Sequence, residues 1–205
     1  RMGRVPSIVM AMAEPVACCL RGIDQAGILL GDRVAVIGGG AIGQILAQLA
    51  RAAGASWLVL SDPVAERRDM ALSLGADVVV DPTGDDPLAP GGVLEGGADV
   101  VLEAVGSVPT TRQAVAWAAE GGTVVWFGVT PPGDLVQVEP NLIFRKELTI
   151  RGARINPFTH ARALDAMASG QVKVKPLLSR RIGLDELART LAEPAGAAVK
   201  TLVIP

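Results

Sequence analysis

The residues best placed to do chemistry in this 205-residue chain are glycines. Gly38, Gly40 and Gly43, in the stretch from Arg33 to Gly43, match the spacing G-x-G-x-x-G. That spacing suits a dinucleotide. The first glycine permits a tight turn, the second lets backbone approach a pyrophosphate, and the third lets the following helix pack closely on the preceding strand. The helix N-terminus then presents free N–H donors and the positive end of its dipole to the phosphates. An acid about 20 residues further on is expected to hold the adenosine ribose. Asp62 stands 24 residues beyond Gly38. Phosphoryl transfer is excluded, because Gly38 and Gly43 have P-loop spacing but Gln44-Ile45 occupies the place of Lys-Ser/Thr.

Other reactive groups are few. The single histidine, His160, falls at an expected helix start, where a cap or surface role suffices. There is no G-x-S-x-G and no metal-spaced Cys/His cluster. Glu103 lies in an apolar strand, where a buried carboxylate needs a partner that the sequence does not reveal. The catalytic residues are therefore unknown at this level. Read from residue chemistry alone, the chain binds a dinucleotide and lacks a complete active site.

The surrounding pattern supplies the elements that must position these groups. Arg33–Ile37 is apolar and β-branched, as a buried parallel strand should be. Ala41, Ile42, Ile45, Leu46, Leu49, Ala50 and Ala53 recur at helical spacing, and Gly54 is placed to cap that helix. Trp57–Ser61 is a second strand. Asp62-Pro63 reads both as the ribose acid and as an N-cap with proline at the first helical position, opening a helix that runs to about Leu74 before Gly75. Further strands are expected at Val78–Val80, Asp99–Glu103, Thr123–Phe127 and Leu148–Arg151. Ser107 caps a helix from Val108 to about Ala119, ended by Gly121-Gly122. Asp81 to Gly97 and Thr130 to Gly133 read as Pro/Gly loops, the first with room for one short helix.

This alternation predicts an α/β fold, a doubly wound, parallel, six-stranded Rossmann sheet with a C-terminal helical and strand extension. Ahead of it, Glu14–Ala26 reads as a helix. Behind it, Thr159 caps a helix from His160 to Ser169, Leu184–Leu191 forms another, and Thr201–Ile204 is a lone strand whose partner lies outside the main sheet. The expected divisions are residues 1–26, 27–155 for the dinucleotide-binding unit, and 156–205. In such sheets ligands lie beyond the carboxyl ends of the strands where strand order reverses. Here those ends are rich in glycine.

Composition narrows the partners. The chain is 50% hydrophobic and 20% charged, with a net charge of −2 and no basic run, which excludes nucleic acid. No stretch approaches the length of a membrane span, and the apolar run Ile8–Met12 is too short for a secretory signal. Cys18 and Cys19 are adjacent and form no CxxC. They read as helix thiols, at least one buried, in a reducing cytoplasm. There is no tyrosine, which excludes a short-chain dehydrogenase.

As a set, Ala13-Glu14-Pro15-Val16-Ala17-Cys18-Cys19, the turn Val36 to Gly43, Asp62 with Arg67, Leu74-Gly75-Ala76-Asp77, Glu103-Ala104-Val105-Gly106, Gly121 to Val125 and Lys146 to Gly152 resemble the medium-chain, zinc-dependent alcohol dehydrogenases, in the polyol and threonine dehydrogenase branch. The resemblance runs from about Ala11 onward. It implies an oxidoreductase passing hydride between a secondary alcohol or polyol and NAD, with zinc as Lewis acid on the alcohol oxygen. It also implies two domains. The GroES-like catalytic domain with its Cys, His-Glu and structural-cysteine ligands has no counterpart here. The chain thus looks like a coenzyme domain plus a C-terminal segment that packs on the catalytic part.

By the same resemblance Gly38, Gly40 and Gly43, with the amides of Ala41 and Ile42, hold the pyrophosphate. Asp62 takes the ribose hydroxyls, Arg67 flanks the adenosine, and Val105-Gly106 and Gly128-Val129 line the adenine and nicotinamide sides. Glu14 matches a position near the family's catalytic metal, though an acid in a helix first turn suits the dipole equally. Asp62 favours NAD, while Arg67 and Arg68 leave NADP open. A homo-oligomer, dimer or tetramer, is implied. Against the enzyme stands a dinucleotide-sensing module without catalysis.

Overall fold

A computed structural model describes residues 7–84, 86–192 and 198–204. A short helix α1 (Ser7–Met10) and the longer α2 (Ala13–Ala26) precede β1 (Arg33–Ile37), α3 (Ala41–Ala53), β2 (Trp57–Ser61), α4 (Ala65–Ser73) and β3 (Val78–Val80). Then come β4 (Ala98–Glu103), α5 (Val108–Trp117), β5 (Ala118–Trp126), α6 (Pro140–Lys146) and β6 (Thr149–Gly152). The chain closes with α7 (His160–Ala168), a 3-10 turn (Lys175–Leu177), β7 (Leu178–Ile182), α8 (Leu184–Ala192) and β8 (Lys200–Val203). No helix among the described residues is long and apolar enough to cross a membrane.

The first six strands form one parallel sheet in the order β3-β2-β1-β4-β5-β6. This is the expected doubly wound Rossmann sheet, and its order reverses between β1 and β4. Strand side chains alternate between its faces. Val34 and Val36 of β1 join Leu58, Leu60, Val100 and Leu102 in a core covered by α2, α3 and α7. Ala35 and Ile37 point the other way, into a second core with Val59, Val101, Val124 and the α5 residues Ala114 and Trp117. Burial on both faces explains why these strands read as continuous apolar runs. Helix α2 contributes Val16, Ala17, Cys19, Leu20 and Ile23 to the first core.

β1, β2, β3 and the helix α3 capped by Gly54 have their expected bounds, and the other expected strands and helices differ by a residue or more at their ends. Several expectations need correction. Asp62 does not cap α4. Val64 is the N-cap residue, and Asp62 instead accepts a hydrogen bond from the Val64 amide at 2.8 Å, so the helix starts two residues late. Gly121 and Gly122 do not end α5, which stops at Trp117. They lie inside β5, where the pairing with β4 shifts between Ala98–Ala118 and Val100–Thr123, and Gly121 takes φ 72° at that irregularity. Helix α6 was not anticipated, although Pro140 stands at its first turn. No helix occurs between Asp81 and Gly97 among the described residues.

At the C-terminal end, Thr159 precedes α7 but its hydroxyl donates to the Ala17 carbonyl at 2.7 Å instead of capping the helix. The late strand, β8, does lie outside the main sheet. It pairs in parallel with β7, a strand that sequence patterning did not reveal.

Candidate functional site

The glycine turn is built by close backbone approach. Gly38 has φ 102°, donates to the Ser61 carbonyl at 2.8 Å, and a Cβ there would meet Val105 at 2.8 Å. A Cβ at Gly43 would strike the Gly38 carbonyl oxygen, so α3 can leave the turn along this path only with glycine at that position. Gly40, in contrast, faces open space. It is the N-cap residue of α3 and makes no side-chain cap. The amides of Ala41, Ile42 and Gly43, in the helix's first turn, find no acceptor among the described residues.

A cleft of about 470 Å³ opens over this turn. Its lining includes Gly38, Gly40, Asp62, Arg67, Val105 and Gln113, drawn from the ends of β1, β2 and β4 and from α4 and α5. It therefore sits at the reversal of strand order. Five of the expected site residues meet there. Ala41, Ile42 and Gly43 stand directly behind as the first turn of α3. Gly106, Gly128 and Val129 lie beyond this lining, packed on one another at the ends of β4 and β5: a Cβ at Gly106 would sit 2.5 Å from the Val129 nitrogen. Val129 is 87% exposed.

Asp62 is buried, and its carboxylate is already organised. Oδ2 accepts from the Gly39 amide at 2.7 Å and Oδ1 from Val64. The Arg67 guanidinium stands 3.7 Å from Oδ2. Arg68 donates to the Asp62 carbonyl at 2.7 Å and pairs with Asp81 at 3.0 Å. Hydrogen bonds from Thr83, aided by Arg68, hold the Asp81 carboxyl below the usual carboxylate range. Two carboxylates, Asp62 and Asp81, thus stand opposite two guanidiniums, Arg67 and Arg68, at this corner of the cleft.

The partners of Glu103, the role of Gln44 and the placing of Pro82 and Thr83 escaped the reading of the sequence. Glu103 is fully buried, and its partners are the amides of Val105 at 2.9 Å and Gly106 at 2.8 Å and the Thr110 hydroxyl at 2.9 Å, all on Oε1. Gln44, fully buried, reaches back to the glycine turn. Pro82 and Thr83 wall the cleft. The Glu103 contacts lie within seven residues but carry no recognised motif, and the link from Gln44 to the Arg67 carbonyl depends on a neighbour 23 residues along the chain.

A pyrophosphate fits what is present: unpartnered first-turn amides, a turn whose Gly40 opens onto the cleft, and a fixed carboxylate one strand away. A zinc ion does not. Among the described residues no three His, Cys, Asp or Glu side chains come together to hold a metal. Glu14 is exposed in the first turn of α2, accepting from Cys18 at 3.1 Å and Asn156 at 3.4 Å. Its proximity and burial push the Cys18 thiol up to about 11, desolvation being the larger cause. Cys19 is buried and free, and burial also raises its pKa. His160 is exposed.

Comparison with known proteins gives consistent matches. The family profile described as zinc-binding dehydrogenase matches residues 41–169. D-altritol 5-dehydrogenase of Agrobacterium fabrum is 30% identical over 190 residues, covering 91% of this chain and 55% of that protein. (R,R)-butanediol dehydrogenase of Bacillus subtilis is 31% identical over 193 residues, covering 93% and 54%. Among solved structures, a zinc-binding dehydrogenase of Sinorhizobium meliloti 1021 bound to NADP superposes with a TM-score of 0.93 at 44% identity, over 96% of this chain and 59% of that one. The chain spans about half the length of the curated relatives it matches.

Proposed function

Because this chain belongs to the zinc-binding dehydrogenase family, we propose that it is the coenzyme-binding part of an oxidoreductase that moves hydride between a secondary alcohol or polyol and NAD or NADP. One observation carries the reading: the free amides at the start of α3 directly follow Gly40, which lines a cleft at the reversal of strand order with Asp62 and Arg67 on its wall.

The bound cofactor supplies the hydride acceptor or donor. This chain's residues bind and orient it. The amides of Ala41 and Ile42, with Gly38, Gly40 and Gly43 keeping the approach open, take the pyrophosphate. Asp62 has lone pairs left after Gly39 and Val64 to accept from the ribose hydroxyls. Arg67 flanks the adenosine, and Val105 and Gly106, with Gly128 and Val129 just past the end of the next strand, line the adenine and nicotinamide sides. Both cofactors are expected to bind. The Asp62 carboxylate favours NAD, whereas the nearby Arg67 and Arg68, and the NADP held by the Sinorhizobium neighbour, support acceptance of a 2′-phosphate.

Zinc, the alcohol pocket and the catalytic residues are assigned to parts of a longer protein outside residues 1–205. Residues 27–155 form the dinucleotide-binding unit. Residues 1–26 and 156–205 lead toward the catalytic part, and Glu14 lies on that side. A small alcohol or polyol is the substrate class, and a homo-oligomer in the cytoplasm is the expected state. The test is titration with NADH and NADPH, followed by fluorescence. Saturation in the micromolar range or weaker is expected, and no change at millimolar concentration of either would end the reading. Asp62→Ala should weaken NADH by about tenfold, as expected when a charged acceptor is lost. Unchanged affinity for both cofactors would remove its ribose role.

A further inference from the structure

Gly39 is held at both of its backbone polar groups by buried side chains from different elements. Its N–H donates to Asp62 Oδ2 at 2.7 Å, and its carbonyl accepts from Gln44 Nε2 at 3.1 Å. The same Gln44 nitrogen donates a second bond, at 2.8 Å, to the carbonyl of Arg67. Asp62 likewise holds the Val64 amide. The apex of the phosphate turn and the segment 64–67 that begins α4 are therefore one hydrogen-bonded unit, with Gln44 its link to Arg67.

Gln44 is completely buried, and its Oε1 has no hydrogen-bond partner. An apolar side chain of that size would fill the space without an unpaired oxygen. What Gln44 contributes is thus the pair of donated bonds, not its volume. The carbonyl it holds belongs to the residue whose guanidinium stands 3.7 Å from Asp62.

We propose that Gln44 is a positioning residue that sets the discrimination between NADP and NAD by fixing the Arg67 backbone against the phosphate turn. The proposal rests on the dinucleotide reading of the cleft. With the link cut, the segment 64–67 relaxes from the turn and Arg67 moves off the Asp62 carboxylate. The charge of Asp62 is then less balanced, and a 2′-phosphate is repelled more than a 2′-hydroxyl.

The test uses the full chain and the two reduced cofactors. Gln44→Met keeps the volume and removes both donors. It should raise the dissociation constant for NADPH at least about threefold more than that for NADH, the size of a contact coupling. In an Arg67→Ala background the same substitution should leave the NADPH-to-NADH ratio unchanged. Equal weakening of both cofactors would show that Gln44 only shapes the turn and would overturn the proposal. So would a ratio shift that persists without the Arg67 side chain. If Gln44→Met fails to fold, Gln44→Leu also removes both donors without adding a charge, and the same ratio is read with the same consequences. Should the unaltered chain bind neither cofactor, the dinucleotide reading itself fails, an outcome distinct from a ratio that does not move.

Discussion

At the scale of single residues, the tightest constraint is steric. A methyl at Gly43 would collide with the Gly38 carbonyl, which shares a peptide plane with the Gly39 N–H and cannot turn without disturbing its bond to Asp62. Gly43→Ala is expected to cost about 3 kcal/mol of stability, in the range of backbone strain at a packed site, and to abolish NADH binding. Chemical denaturation and the NADH titration check the two effects separately. Gly40→Ala, with open space around it, should cost far less stability yet still hinder a diphosphate. Cys18 offers a pH-dependent readout. Burial and Glu14 favour its protonated form, so the reactive thiolate is scarce at pH 8. With its thiol pushed up to about 11, alkylation by iodoacetamide near neutral pH should run slower than for a model thiol. It should accelerate as pH rises toward 11. Glu14→Gln should speed the reaction at fixed pH by removing the neighbouring charge.

Elements impose the next level of constraint. Helix α5 begins with a capping box in which Ser107 and Thr110 satisfy each other's backbone amides, and the Thr110 hydroxyl also donates to the buried Glu103. The cap thus ties α5 to the end of β4, and through the Val105 and Gly106 amides on the same carboxylate oxygen it sets the wall of the cleft. Ser107→Ala should cost about 1 kcal/mol, the usual worth of a cap. Thr110→Val should cost more, about 2 kcal/mol, because a fully buried carboxylate loses a donor along with the cap. Thermal unfolding of the two variants side by side tests that ranking, and equal losses would mean that Glu103 does not depend on Thr110. The element boundaries show where local signals suffice. The strand ends at Ile37, Ser61 and Val80 were legible, because a change from apolar runs to Gly, Asp or Pro marks them. The ends of α5 and β5 were not: Gly121-Gly122 is an ordinary helix stop in isolation, and only pairing with β4 draws it into a strand.

Across the whole molecule, stability is concentrated where both sheet faces are covered. β1 and β4 lie centrally between two cores, while β7 and β8 form an isolated pair whose residues are mostly part-exposed. Hydrogen exchange should therefore be slowest at the amides of β1 and β4 and faster at those of β7 and β8. Comparable protection of the two sheets in this chain would contradict that distribution. Bound NADH should add protection around the glycine turn and the start of α4, since a ligand stabilises the elements it bridges.

The sequence by itself determined the architecture and the main line of the site. Apolar runs at strand length, a 3.6-residue stripe behind a G-x-G-x-x-G turn and an acid 24 residues past Gly38 are local patterns, and local patterns are printed in residue order. The partners of buried polar groups were decided only by the tertiary structure. That Asp62 grips Gly39, that Gln44 joins Gly39 to Arg67 and that β8 finds β7 each depend on segments brought together by the packing of the sheet and its helices. A hydrogen bond requires its donor and acceptor within about 3 Å of each other, and no spacing along the chain encodes that meeting.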